Sequence, residues 1–232
     1  MRAGRADDAR TAYQRAIALS GGWTAAYHDL ATLEQRVGRL DLASEYYAKV
    51  LGDDPEHFEA LYNLGSVRWQ LGDLDEAGDL FRRAASTNPA SAQAAYSLGL
   101  VSTRAGRGSD ALAALRLAAE RDPRAPVYRD ALALALATAP TAELRDGALA
   151  LRLAEEVNAE TGRAVPRYLR TLAAAQAELG DFAAAESTLD RALAIVQEAA
   201  ERGMPPAQVT ESRERLEADR ALYRRGTPLR DG

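Results

Sequence analysis

Apolar and small residues return along this chain on two superposed beats. Within short windows they fall at i, i+4 and i+7: Ala43, Tyr47 and Val50, then Ala77, Phe81 and Ala84, then Ala111, Leu115 and Ala118. That spacing is one face of a helix. Over longer distances the same positions return every 34 residues: Leu30, Leu64, Leu98 and Leu132; a small residue after the leucine at Ala31, Gly65 and Gly99; Gly38, Gly72 and Gly106; Pro55, Pro89 and Pro123. A single globular core gives unlike residue types no reason to share one period. A stack of identical helix–turn–helix units does.

The beat divides the chain into elements. Residues 24–57, 58–91 and 92–125 are three full units. In each, a first helix ends at the glycine, which accepts the left-handed backbone that stops a helix and starts a tight turn. A second helix follows, with Ala43, Ala77 or Ala111 where the two helices cross. Asp54-Pro55, Asn88-Pro89 or Asp122-Pro123 closes the unit, because the residue before proline resists the helical region. Upstream, Gly4, Ala9, Tyr13 and Ala16 keep the phase, so 1–23 is a half repeat with a helix over 5–20. Downstream, 126–138 reads as a first helix, after which the phase slips by six residues before Gly180. The slip is placed in an insertion at 139–147, where Pro140 ends one helix and Asp146 caps the next, about 147–160. Unit 126–165 is therefore degenerate, and 166–203 is a further pair of helices around Gly180. Met204-Pro205-Pro206 interrupts the chain before a last helix within 205–225, apolar at Val209, Leu216, Leu222 and Tyr223 and polar at Glu211, Arg213, Glu214, Arg215, Glu217, Asp219 and Arg220. It is predicted to cap the stack, with 227–232 as a tail.

Three in-phase copies carry a family resemblance. Leu30/Ala31/Gly38/Ala43/Tyr47/Val50/Pro55, Leu64/Gly65/Gly72/Ala77/Phe81/Ala84/Pro89 and Leu98/Gly99/Gly106/Ala111/Leu115/Ala118/Pro123 resemble the tetratricopeptide repeat. The resemblance implies an all-α, right-handed superhelical α-solenoid, here about five and a half repeats plus a capping helix, forming one domain over 1–226. First helices line its concave side. A bulky residue at Gly65 or Ala77 is predicted to overpack a helix crossing, at a cost of roughly 1–3 kcal/mol.

Composition narrows the function classes. The 232 residues carry 29 basic and 34 acidic side chains, a net charge of -5, with both signs interspersed. No basic stripe is available for nucleic acid. Lys49 is the only lysine, and the arginine and alanine richness suggests a bacterial source. There is no cysteine, so neither a disulfide framework nor a thiolate metal site. No apolar run is long enough for a transmembrane helix. The charged opening Met1-Arg-Ala-Gly-Arg-Ala-Asp-Asp lacks a signal core, which points to the cytoplasm, provided no upstream segment is missing.

The search for catalytic chemistry yields no set. His28 and His57 stand far apart in sequence and outside any metal motif, and are read as solvated or groove histidines. Asp7/Asp8, Asp53/Asp54 and Glu155/Glu156 read as solvated pairs at helix ends or on charged faces. The glycines come once per repeat and build no phosphate loop. The expectation is a non-enzymatic scaffold or assembly subunit with no cofactor and no metal, holding a protein or peptide partner, within a multi-subunit complex or outside one.

Two surfaces are candidates. The resemblance places His28, Thr32, Gln35 and Arg36, then Tyr62, Ser66, Trp69 and Gln70, then Tyr96, Leu100, Thr103 and Arg104 on the groove side. Tyr62, Trp69 and Tyr96 would there form an aromatic patch flanked by Arg36 and Arg104, well suited to partner contact. The same aromatics also serve consensus packing, and both readings stand. Family members that clamp the terminal carboxylate of chaperones use lysine, asparagine and arginine at set groove positions. Here only Asn63 matches, with His28, Thr32, Tyr96 and Leu100 at the others, so that clamp is not expected. The second surface is the half repeat, where Ala9, Tyr13, Ala16 and Ile17 present an apolar face that a first helix normally covers. Truncation of a longer protein, a partner chain, or docking of this helix on 24–51 would each account for it. The alternative function follows from the first: an accessory region of a larger enzyme or redox protein whose catalytic part lies upstream.

Overall fold

The structure is a computed structural model that describes residues 2–20 and 24–230. The outer ends of the half repeat, at Met1 and 21–23, and the last two residues of the tail lie outside the described residues. Twelve α-helices are described: α1 (Arg2–Ser20), α2 (Thr24–Arg36), α3 (Leu40–Asp53), α4 (Phe58–Leu71), α5 (Leu74–Thr87), α6 (Ala92–Arg104), α7 (Gly108–Arg121), α8 (Pro126–Thr138), α9 (Gly147–Glu160), α10 (Pro166–Glu178), α11 (Phe182–Glu201) and α12 (Pro206–Tyr223). The described residues contain no strand. Helices α2 and α3 lie within 24–57, α4 and α5 within 58–91, and α6 and α7 within 92–125, with α8 to α12 after them.

The packing divides the chain into two compact units, Met1–Ala105 and Gly106–Gly232. In unit 1, each helix packs on its sequence neighbour: α1 on α2, α2 on α3, α3 on α4, α4 on α5 and α5 on α6. The interior comes from the periodic positions. Leu30, Ala31, Ala43, Tyr47 and Val50 are buried, as are Leu64, Ala77, Phe81 and Ala84. Gly65 is required by closeness of approach: a Cβ there would stand 2.9 Å from Phe81 Cε1. Gly72 is required by backbone geometry, with φ +89°. It closes α4 with Gly72 N–H donating to Trp69 O at 3.0 Å and Asp73 N–H to Arg68 O at 2.9 Å.

The Asx-Pro closures do more than stop a helix. Asp54 Oδ1 accepts from Glu56 N and Asn88 Oδ1 accepts from Ala90 N, both at 3.2 Å. The acidic or amide side chain thus builds the turn that leads into the next repeat.

In unit 2, α7 packs on α8, α8 on α9, α9 on α10, α10 on α11 and α11 on α12, with α10 also against α8. Asp146 caps α9 by accepting from Leu149 N at 2.9 Å. The insertion forms a short 3-10 turn at Ala142–Leu144, and Asp146 N–H donates to Leu136 O at 3.1 Å. Leu144 fills the space beside Gly108, where a Cβ would come within 2.9 Å of Leu144 Cδ1. Leu216 and Tyr223 of α12 bury themselves with Leu189, Ala192 and Val196 of α11, and Val209 and Leu222 flank them. One position on α12 corrects the sequence reading: Asp219 is buried, not part of a solvated face.

Candidate functional site

The predicted groove positions of unit 1 lie on α2, α4 and α6, the first helices of their repeats. On α2 they form one polar network around a buried phenol. Tyr47 reaches across from α3, donates to Gln35 Oε1 at 3.0 Å and meets Thr32 Oγ1 at 3.1 Å. Thr32 Oγ1 in turn donates to His28 O at 3.0 Å. Two hydroxyl protons fill only two of these three contacts at a time, and Thr32 and Gln35 both lie within reach of the phenol. Burial pushes the Tyr47 phenol above its ordinary pKa, against the lowering influence of the Thr32 and Asn63 hydrogen bonds. Tyr47 therefore stays a neutral donor.

The two histidines, separated in sequence, come together. Their rings stack with centroids 5.5 Å apart, and His28 also meets the Tyr47 ring edge-on at 5.8 Å. The sequence signal was the repeat itself, since one residue opens a repeat and the other closes it. His57 caps α4, with Nδ1 accepting from Ala60 N at 3.3 Å. That bond leaves the proton on Nε2, which makes His57 Nε2 a donor and not a metal ligand. Among the described residues no group of three or more histidine, aspartate or glutamate side chains is arranged to hold a metal ion.

On α4, Tyr62 and Trp69 are half-buried and pack against the cluster of Ala77, Phe81 and Val101. The Tyr62 ring lies 5.4 Å from that of Phe81, and its hydroxyl bridges to α6 through Ser97 Oγ at 3.2 Å and Gln93 Nε2 at 2.9 Å. Both aromatics thus have a structural role on one face. Ser66 and Thr103 turn back onto their own helices, donating to Tyr62 O and Gly99 O, each at 3.0 Å. Gln70 also reaches back, to Ser66 O at 3.3 Å. Tyr96 and Leu100 on α6 are half-buried. Arg36, Gln70 and Arg104 are exposed at the ends of their helices, and no ion pair holds either arginine among the described residues.

The half repeat is less open than its sequence suggests. Ala9, Tyr13, Ala16 and Ile17 are all half-buried, and α1 packs on α2. An ion pair that the sequence reading missed ties the two: Arg10 Nε meets Glu34, which is 1% exposed, and Arg39 Nη1 approaches the same carboxylate at 3.6 Å.

Continuing the groove count through the six-residue slip reaches Asp130 on α8 and Arg170 on α10, which the sequence reading also missed. Asp130 is buried, with Arg167 Nε 3.4 Å from Oδ2. Arg170 Nε donates to the buried Asp219 at 2.6 Å, which links α10 to the capping helix. Asp219 is thereby paired, whereas the buried Asp130 Oδ1 has no hydrogen-bond partner.

Comparison with known proteins agrees with this repeat geometry. Two family profiles described as tetratricopeptide repeat match residues 28–89 and 68–135. No curated protein matches the sequence. Among solved structures, YrrB, titled a TPR protein with an unusual peptide-binding site, is 24% identical with a TM-score of 0.68, covering 79% of this chain and 92% of its own. MamA is 21% identical with a TM-score of 0.66, covering 78% of this chain and 96% of its own. The O-GlcNAc transferase of Thermobaculum terrenum, as a K341M mutant, is 27% identical with a TM-score of 0.50, over 59% of this chain and 26% of its own. Residues 28–135 are thus recognised as tetratricopeptide repeats, and helix pairs continue in the same manner beyond them.

Proposed function

We propose that this chain is a non-enzymatic interaction scaffold that binds a protein or peptide through the α2/α4/α6 face. The observation that carries this reading is the pairing of anchored and free groups on that face. Tyr62, Trp69 and Tyr96 are half-buried, which offers large apolar area at little entropic cost on binding. Arg36 and Arg104, exposed and without ion pairs among the described residues, offer forked donors at the helix ends. The fitting ligand is an extended segment with apolar side chains and a carboxylate at its flanks. YrrB, of the same fold, is titled as having a peptide-binding site, which supports the reading. The net charge of -5 speaks against nucleic acid, and no described helix is long and apolar enough to cross a membrane.

The test uses the free groups, because Trp69→Ala would also disturb the Phe81 cluster. A tagged chain purified at low stringency from its native source identifies the partner. Arg36→Glu with Arg104→Glu is then expected to weaken that partner about tenfold and to flatten its salt dependence. Undiminished binding by the double variant would move the site off this face.

A second reading is favoured by one observation: the Thermobaculum terrenum transferase contains a region of this fold as 26% of its chain. In that reading the present chain is the docking region of a larger enzyme. The mass of the native gene product decides it; a species of the 24.9 kDa computed from this sequence would remove it.

A further inference from the structure

After α12 the chain does not leave the molecule. Gly226 takes φ +66°, its N–H donates to Tyr223 O at 2.9 Å, and Thr227 N–H donates to Leu222 O at 3.1 Å. The chain turns back past Phe182, and Leu229 packs on the α10–α11–α12 core. Arg230 then reaches the C-terminal ends of two first helices. Its Nη2 lies 2.7 Å from Glu178 Oε2 on α10, and its Nη1 is 3.4 Å from Ala137 O on α8. Arg145 of the insertion approaches the same Glu178 from the other side, with Nε 2.8 Å from Oε1, while its Nη1 donates to Ala139 O and Pro140 O. Glu178 is therefore a half-buried carboxylate shared by two guanidinium groups. Carbonyls at the end of α8, Ala137 O, Ala139 O and Pro140 O, accept from the same two arginines and favour their positive charge.

Each hold of this segment is small and local: one leucine, one arginine, two backbone turns. Arg230 keeps about a third of its side chain exposed, at 34%, and Glu178 keeps 14%. Arg145 is bound by three acceptors that do not involve the segment, so the site keeps its shape when Arg230 leaves. A preformed notch whose free carboxylate oxygen, Glu178 Oε2, faces a cation beside an apolar shelf, and which is filled by a short and weakly tied piece of the same chain, has the character of a binding site with a resident occupant.

We infer that the Glu178 notch of unit 2 is a docking site for a leucine–arginine peptide segment, and that residues 227–230 are a strap that occupies it until such a segment displaces them. The site lies in unit 2 and involves none of the α2/α4/α6 residues, so its failure and the failure of the proposed groove are separable.

The test frees the strap in the full chain with Leu229→Ser and Arg230→Glu. It then adds a labelled, end-blocked peptide of sequence Gly-Thr-Pro-Leu-Arg in trans. The freed chain is expected to bind the peptide about tenfold more tightly than the parent, the scale of one charge-assisted contact recovered. Adding Glu178→Gln to the freed chain, or replacing arginine by alanine in the peptide, is expected to remove the gain. Hydrogen exchange over 137–145 is expected to rise when the strap is freed and to fall again with peptide. A freed chain of unchanged helicity that binds no better than the parent overturns the site. So does equal binding of the alanine peptide. A parent dimer that Arg230→Glu splits overturns the intramolecular strap and gives the notch to a second copy.

Discussion

Gly65 lies inside α4 and Gly72 just past its end, and each is glycine for its own reason. At Gly65 the backbone is ordinary helix, and the obstacle is Phe81, 2.9 Å from where a Cβ would stand. Phe81 is 2% exposed and backed by the Tyr62 ring, so it has little room to yield. Alanine gains about 1 kcal/mol of helix propensity, against an overpacking cost of roughly 1–3 kcal/mol. Gly65→Ala is expected to lower the urea midpoint slightly and Gly65→Leu strongly. A raised midpoint in Gly65→Ala would mean that the ring moves. Asp130 shows a different conflict. Burial lifts its carboxyl to about 6 from an ordinary 3.8, with Thr171, Arg167 and Arg170 only partly opposing. The folded chain thus holds this proton more tightly than the unfolded chain does. The resulting stability is complete below the unfolded pKa of 3.8 and is lost as pH rises through about 6. Asp130→Asn, which never ionises, should gain on the parent across that window. Two pK units correspond to about 3 kcal/mol, and loss of the Arg167 contact reduces the net gain to about 2 kcal/mol. Unfolding of both proteins at the two ends of the window measures it, and a constant difference would show that the carboxyl ionises freely.

Among the elements, the insertion at 139–147 is where the sequence was both most and least informative. Its place was legible from the phase slip, from Pro140 and from the Asp146 cap. What it does was not, because the period says nothing about residues outside it. One signal was available: Leu40 and Leu74 stand where the third repeat has Gly108, and Leu144 of the insertion fills that vacancy. Arg145 then pins the segment through Ala139 O, Pro140 O and Glu178. Removing those bonds in Arg145→Ala is expected to cost roughly 1–3 kcal/mol. It should also open 139–146 to limited proteolysis while α10 and α11 stay protected. Uncut protein would mean that Leu144 alone holds the insertion. On α12, Asp219 was misread because polarity outweighed position. Leu216, Asp219 and Tyr223 fall at i, i+3 and i+7, a single stripe, and Arg170 is the partner that lets a carboxylate sit in it.

For the whole molecule, the 34-residue beat made the helix–turn–helix order legible, because each repeat solves the same packing problem with the same residue types. The groove was legible only as positions. That Tyr62 and Trp69 lean on Phe81, that Tyr47 holds Thr32 and Gln35, and that His28 stacks on His57 all depend on side-chain contacts between positions of one repeat, which the period alone does not encode. The division between Ala105 and Gly106 was equally hidden, since it falls where the pattern is most regular. Within each unit the helices pack mainly on their sequence neighbours, so stability should be a sum of local terms with damage that fades along the chain. Leu61, fully buried in α4, offers the means to test this. Leu61→Ala removes core volume at a cost of about 2–5 kcal/mol. If the terms are local, hydrogen exchange should quicken through α3, α4 and α5 while α10 and α11 retain the protection they have in the parent. Equal acceleration in both regions would instead make the two units one cooperative body, because a single unfolding event would then expose them all.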